Sequence, residues 1–459
     1  MAGIYVHIPF CASRCIYCDF YSTTRLDLRQ RYVDALCREM SMRSDYLKEQ
    51  VHTIYIGGGT PSQLSPTQLR QLFSSLETCF ASVLPNITQL DEVTIECNPD
   101  DVTADYAQAL ASMPVNRVSM GVQTFNDERL GFLRRRHCAQ QAETAVRLLR
   151  EAGIGNISID LMYGFPDETI EEWHRDIDRA LALNVEHISA YSLMYEEGTP
   201  LTRLLQQGRV KEVDEELSLQ MYSTLVDRLT AAGFEHYEIS NFAKQIPNSP
   251  LSFYNSHRSL HNSNYWNQTP YIGLGAAAHS YNVVSRQWNT ADIDVYLQGI
   301  ETGHPVVEIE MLNDDMRYND IVLEASGYAH AVRYNGDKLC VMAYKINDSA
   351  FLLGLGADVA SFFTPTPVSI GLSVGSTTLW YCKEYLNTMA CYLVDRDANE
   401  KGKIPVTRIN DSFMETLLAH DAPLLEKYKA ISSKRNRQSA ANILPVLMEK
   451  GVVKMEAIN

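Results

Sequence analysis

Six short apolar runs alternate with longer amphipathic stretches in the first 193 residues, and this alternation restricts the possible folds most strongly. The runs are 4–8, 53–56, 92–97, 116–122, 156–162 and 187–193. The stretches 28–47, 66–80, 103–111, 139–152 and 170–183 have helical spacing. Repeated strand–helix units predict an α/β fold with a parallel sheet and right-handed crossovers. The Val and Ile content of the runs predicts strands that are covered on both faces.

Six strands are too few to close an eight-stranded barrel, so we expect an open, partial (β/α)6 barrel. In barrels of this kind, functional groups lie at the C-terminal ends of the strands. The chain continues with a predicted helix over 215–232, a predicted strand over 235–239 and an aromatic- and Asn-rich stretch over 253–288.

The composition changes after about residue 322. Residues 323–459 carry 15 Lys and Arg and 14 Asp and Glu, a net charge of +1, and the whole chain carries −16, which leaves −17 for the first 322 residues. We therefore predict a core over 1–240, a continuation over 241–322 and an α+β C-terminal extension of unrecognised type over 323–459. Within the extension, 368–379 is predicted as strand and turn, and 412–428 and 436–451 as helices.

Charge and apolar patterning exclude several classes of protein. A net charge of −16 argues against a general nucleic-acid binder, because phosphate contacts need clustered cations. No run reaches the roughly 18 apolar residues of a membrane span, so no transmembrane segment is expected. The N-terminus has no signal-peptide pattern, and ten cysteines without one predict reduced thiols in the cytoplasm.

Three cysteines, Cys11, Cys15 and Cys18, follow the first predicted strand directly. Three ligands on a 4Fe-4S cluster leave one iron open, where S-adenosylmethionine (SAM) can bind through its amino and carboxylate groups. One electron then cleaves an S–C bond and yields a 5′-deoxyadenosyl radical. The alternatives are no metal, or zinc with His7 as a fourth ligand. The position of the triad at the mouth of a strand–helix sheet favours the cluster.

The segment Tyr-Val-His-Ile-Pro-Phe-Cys at 5–11, together with the triad, resembles the radical SAM proteins related to oxygen-independent coproporphyrinogen III oxidase. The resemblance extends over more than three hundred residues, to about 322. Within that group the chain is most similar to the HemW-type heme chaperones. The resemblance implies a radical SAM fold that holds a 4Fe-4S cluster on the three cysteines.

The resemblance also implies a set of SAM-binding residues at the strand ends. Glycines after the second strand would let the backbone approach the methionyl amino group, Glu96 would accept hydrogen bonds from SAM, and Arg135 would pair with its carboxylate. The implied set is Tyr5, Tyr17 (near the adenine), Gly58, Gly59, Thr60, Glu96, Gln123, Arg135 and Asp160 (on a ribose hydroxyl). A lone acid at a strand end is usually a solvated or capping residue, and 134–136 can be read as a solvated basic run. The convergence of four polar residues on one edge of the sheet favours a binding site over these alternatives.

Two features separate the carrier from the oxidase. The oxidase has a further cysteine two residues after the third cluster cysteine, and this chain has Phe20 there. The segment 261–266 matches the HNxxYW motif of the heme chaperones, and the resemblance makes His261 a candidate heme ligand. A hydrogen-bonded core histidine is the alternative, and His257 and His279 are competitors for the ligand role.

The predicted function is that of a carrier that binds heme and hands it to heme-accepting proteins, with membrane-associated respiratory proteins as candidate acceptors. The alternative is a radical SAM oxidase that decarboxylates coproporphyrinogen III. Whether SAM is turned over, and so whether the chain is an enzyme, stays open at this point.

Overall fold

The computed structural model describes residues 1–84, 86–245 and 256–312, together with five strands between residues 330 and 382. It divides into two compact units. The first comprises residues 1–236 and 240–311, and the second comprises 237–239 and 312–459.

The first unit is built on six parallel strands that pair in chain order. These strands are β1 Ala2–Ile8, β2 Val51–Gly58, β3 Glu92–Cys97, β4 Arg117–Gln123, β5 Asn156–Tyr163 and β6 His187–Ser192. The connecting helices are α1 Arg29–Met42, α2 Pro66–Cys79, α3 Ala104–Ala111, α4 Asp127–Phe132, α5 Ala139–Glu151 and α6 Ile170–Ala182. The predicted α/β class and parallel sheet are thus confirmed.

Both outer strands of this set gain further neighbours, so β1 and β6 do not pair with each other and the barrel is open. The later elements of this unit are α7 Pro200–Gln206, α8 Glu215–Ala231, β7 Phe234–His236, β8 Asn241–Lys244, α9 Leu260–Trp266, β9 Tyr271–Leu274, β10 His279–Tyr281, β11 Ser285–Asn289, α10 Ile293–Thr302 and β12 Val307–Met311. Strand β9 pairs parallel with β1, and β10, β11 and β12 extend that edge antiparallel. Strands β8 and β7 extend the β6 edge antiparallel.

Four of the six connecting helices, α2, α3, α4 and α6, begin with a side-chain cap, and the helices bury one face on the sheet. Helix α6 starts with a capping box in which Thr169 accepts from the Glu172 backbone N–H and Glu172 reaches back to the cap. Trp173 in its first turn is fully buried, and its indole N–H donates to the Met221 carbonyl oxygen of α8 at 2.9 Å. Packing of this kind fixes α8 beside α6.

The two faces of the parallel strands differ in chemistry. The face toward the helices is apolar and fully buried, as at Ile54, Val118 and Ile157. The face toward the barrel interior is polar yet also buried, as at Thr94 and Ser158. Both faces of the strands are buried, as expected, but the interior face carries polar side chains.

In the second unit, β13 His330–Asn335 and β14 Lys338–Ala343 form an antiparallel pair. A second antiparallel sheet contains β15 Phe351–Leu353, β16 Ser369–Val374 and β17 Thr377–Cys382. Strands β16 and β17 occupy most of the segment predicted as strand and turn. The helices predicted over 412–428 and 436–451 lie outside the described residues. Among the residues described, the structure contains no helix with the length and apolar character that a membrane crossing requires.

A buried carboxylate, Glu39 of α1, fastens the β9–α10 segment to the barrel. One oxygen accepts from Arg43 at 2.9 Å and from the Asn289 amide at 2.8 Å. The other accepts from the Gly275 backbone N–H at 2.8 Å and from the Tyr296 hydroxyl at 2.7 Å. Three of the four donors come from the β9–α10 segment, so this buried acid is a major link between that segment and α1.

We predict that Glu39→Ala destabilises the first unit by about 3–5 kcal/mol, because it leaves the largely buried Arg43 guanidinium without its counter-charge. Urea unfolding followed by circular dichroism measures the change. The matched control is Arg31→Ala on the same helix, which removes an exposed ion pair to Glu301 of α10. The control should unfold close to the wild-type midpoint. Equal midpoints for the two variants would contradict this role for Glu39.

Candidate functional site

A cavity of about 510 Å3 opens at the C-terminal ends of the parallel strands. Its walls include every residue that the sequence predicted for the cluster and for SAM: Tyr5, Cys11, Cys15, Tyr17, Cys18, Gly58, Gly59, Thr60, Glu96, Gln123, Arg135 and Asp160. These residues come from strands β1 to β5 and from the segments that follow β1, β2 and β4. His261 does not line this cavity.

The three cysteines lie on the loop that follows β1 and face the cavity. The Cys11 sulfur is 3.5 Å from the Thr60 hydroxyl, and an Arg135 nitrogen donates to the Cys15 sulfur at 3.5 Å. Burial raises the pKa of the Cys11 thiol and raises the pKa of the Cys18 thiol to about 11, so thiolates here need a cationic partner. Within the described ranges, no three His, Cys, Asp or Glu side chains meet as a site for a single metal ion.

The turn after β2 brings a backbone N–H to the Glu96 carboxylate. Gly58 has φ of +115°, and a Cβ there would stand 2.7 Å from the His7 ring, so this position requires glycine. Its N–H donates to Glu96 Oε2 at 3.1 Å, and the Tyr55 hydroxyl donates to Oε1 at 2.8 Å. Burial raises the pKa of Glu96 to about 7, which these two hydrogen bonds partly offset.

Arg135 is held from three sides. It donates to the Gly121 carbonyl oxygen at 2.6 Å and also to the Asn98 side chain and the Cys15 sulfur. Its Nε is buried without a hydrogen-bond partner within the described structure. Gln123 lies beside it at the end of β4 with φ of +69°, a backbone conformation that is costly for a residue with a side chain. A buried cation with a spare donor suits an incoming carboxylate.

Asp160 and the two tyrosines complete the wall. Burial raises the pKa of Asp160 to about 6, and hydrogen bonds from Ser189 and Ser119 partly offset that rise. The Tyr5 hydroxyl donates to His7 Nδ1 at 3.0 Å, since the other His7 nitrogen donates to the Tyr21 carbonyl oxygen at 3.1 Å. Burial raises the pKa of Tyr17, so its hydroxyl stays protonated.

Sequence reasoning missed several residues of the cavity, which include Asn98, Arg117, Ser119, Ser189 and Asn262. Arg117 is almost fully buried, and its Nε has no hydrogen-bond partner in the part of the chain described. The signal was present, because the side chains of a strand alternate between its two faces. Counting back by two from Glu96, Gln123 or Asp160 places further polar side chains on the interior face.

His261 lies in the floor of the barrel, at the N-terminal ends of the strands. Its Nδ1 is 2.9 Å from the Thr53 hydroxyl, and its Nε2 is 3.0 Å from the Tyr265 hydroxyl. The side chain is buried, and burial lowers the pKa of the imidazole to about 3. Both ring nitrogens are therefore occupied, and an iron at either would displace a hydrogen bond. The two other candidate heme ligands are less buried than His261. His279 is exposed and stacks on Trp288, and His257 is part-buried.

Comparison with known proteins agrees with this geometry. Residues 5–180 match the model of the Radical SAM superfamily. The heme chaperone HemW of Bacillus subtilis is 37% identical over 308 residues, which cover 66% of this chain and 78% of that protein. HemW of Escherichia coli is 35% identical over 280 residues, which cover 60% of this chain and 69% of that protein.

Among solved structures, coproporphyrinogen III oxidase (HemN) of Escherichia coli matches with a TM-score of 0.60 and 24% identity, over 70% of this chain and 74% of that one. This likeness shows a shared fold and leaves the reaction open. It confirms the radical SAM fold that the sequence predicted for the strand–helix region. By the coverage and identity of its relatives, the chain belongs to the HemW-type radical SAM proteins.

Proposed function

We propose that this protein is a heme chaperone, which carries a 4Fe-4S cluster and SAM and transfers bound heme to acceptor proteins. The observation that carries the proposal is the convergence of three cysteines and nine SAM-type residues on one cavity. The two relatives described above, which align with 66% and 60% of this chain, are named heme chaperones. Membrane-associated respiratory proteins are the candidate acceptors.

Cys11, Cys15 and Cys18 would hold the cluster, and the residues around them fit SAM by chemistry. Arg135 would offer its buried, unpartnered Nε–H to the SAM carboxylate, and Glu96, which accepts from the Gly58 N–H, would also accept from the SAM amino group. Asp160 would accept from a ribose hydroxyl. When bound, the cluster supplies the electron that reductive cleavage of SAM requires.

Phe20 favours the carrier over the oxidase. It stands where the related oxidase has a further cysteine, it lines the cavity, and 68% of its surface is exposed. An exposed aromatic ring at this opening offers a stacking surface where a thiol would offer a reactive group.

Anaerobic reconstitution with iron and sulfide followed by titration tests this function. We expect heme to bind with a shifted Soret band and to pass to an apo-acceptor, while coproporphyrinogen III is not decarboxylated in the presence of SAM and a reductant. Porphyrinogen turnover, or no saturable heme binding, would overturn the chaperone. The triple variant Cys11→Ala, Cys15→Ala, Cys18→Ala is the control for the cluster, since it should lose the iron–sulfur absorbance.

The affinity for SAM should fall as the pH falls through about 7. The ionised Glu96 carboxylate is the form that makes a charge-assisted contact with the SAM amino group, and burial has raised its pKa to about 7. Below that pH binding must first remove a proton, which weakens the affinity up to about tenfold per pH unit. Equilibrium binding of SAM to the reconstituted protein between pH 6 and 8.5 measures the effect.

Glu96→Gln is the matched control for this profile. We expect this variant to bind SAM more weakly than the wild type at pH 8. Its SAM affinity should also vary less between pH 6 and 7.5, because an amide does not titrate in that range. An unchanged slope in the variant would assign the titration to another group, with Asp160 as the nearest candidate, since burial raises the pKa of that acid to about 6.

A further inference from the structure

The HNxxYW segment forms α9, and α9 is anchored inside the barrel at its N-terminal end. The Glu92 carboxylate of β3 accepts from the Leu260 backbone N–H at 2.6 Å and from the His261 N–H at 3.4 Å. A carboxylate at the N-terminus of a helix satisfies backbone donors that otherwise lack partners. This anchor fixes the position of the first turn of α9, and therefore the position of the His261 side chain in the barrel floor.

The first strand leaves room for the His261 ring. A Cβ on Gly3 of β1 would come within 3.1 Å of His261 Cε1 and of the Thr53 hydroxyl. Thr53 also accepts from the Asn264 amide at 3.3 Å, so its own hydrogen is available for His261 Nδ1. The Nε2–H then donates to Tyr265. This arrangement uses both nitrogens of a neutral imidazole and leaves the ring face for stacking.

That face stacks on Tyr55, and Tyr55 leads to the SAM-type residues. The centroids of the two rings are 5.3 Å apart, with 29° between the ring planes. The Tyr55 hydroxyl donates to Glu96 Oε1 at 2.8 Å, and the other Glu96 oxygen accepts from Gly58. A continuous set of contacts therefore connects α9 to the carboxylate at the cavity.

We propose that His261 is a positioning residue whose ring holds Tyr55 against Glu96, so that the HNxxYW segment sets the geometry of the SAM site from the floor of the barrel. The proposal rests on the proposed function for the presence of SAM. It differs from the prediction that His261 ligates heme iron, because here the ring face carries the role and the nitrogens serve only to hold the ring.

Three variants separate the two roles by binding alone. Loss of the ring in His261→Ala releases Tyr55, so we expect SAM affinity to fall about tenfold while heme affinity stays at the wild-type value. His261→Phe keeps a stacked ring without nitrogens, so it should recover most of the SAM affinity. Tyr55→Phe keeps the stack but loses the hydroxyl, so it should weaken SAM binding about tenfold.

The pH profile of SAM binding gives a readout that a merely structural role would not move. The Tyr55 hydrogen bond lowers the pKa of Glu96, and the other charged groups near Glu96 are Asp160 and Arg117. Tyr55→Phe should therefore shift the midpoint of the profile to higher pH. His187→Ala is the matched control, because His187 is an equally buried barrel histidine that bonds Ser158 on β5. It should leave the profile unchanged.

The outcomes distinguish this proposal from the function on which it rests. Wild-type protein that binds SAM but no heme would refute the chaperone and leave the positioning role intact. Loss of the heme Soret shift in both His261→Ala and His261→Phe, with SAM affinity unchanged, would overturn the positioning role and establish heme ligation. Unchanged SAM affinity and pH midpoint in Tyr55→Phe would overturn it as well.

Discussion

The fold depends on strands that are apolar on one face and polar on the other, with both faces buried. Apolar contact with the helices stabilises the sheet, but the interior face removes acids, hydroxyls and an arginine from water. Burying such groups costs free energy unless they find partners. Glu92 and Glu96 of β3 are satisfied by donors from other elements, and the unpartnered nitrogens of Arg117 and Arg135 remain available to ligands. The polar side chains of the interior face thus hold elements of the barrel together and also line its cavity.

The strand–helix order was predictable because its signal is local. Outward-facing Val and Ile mark each strand, and β3 was predicted at its observed bounds, Glu92–Cys97. The cluster and SAM residues were predictable for a related reason, since the C-terminal ends of parallel strands meet at one edge. The cavity confirms that these residues lie together, whereas their binding roles stay predictions.

The surroundings of His261 could not be read from the sequence. Its hydrogen-bond partner Thr53 lies 208 residues earlier in the chain, and its anchor Glu92 lies 169 residues earlier. The local periodicity of apolar residues carries no information about contacts between such distant positions. The HNxxYW string indicated a residue with a role, but a ligand and a buried positioning group look alike until the far partners are known.

The charges that line the cavity explain why a cationic ligand fits it. Burial raises the pKa of Glu96 to about 7 and that of Asp160 to about 6, because nearby positive charge does not offset desolvation. A ligand with a sulfonium and an ammonium group, as in SAM, supplies positive charge beside these carboxylates and favours their ionised forms. Binding and deprotonation are then linked, so each strengthens the other. A contact that orients Glu96, such as the Tyr55 hydroxyl, therefore influences both its ionisation and its affinity for the ligand.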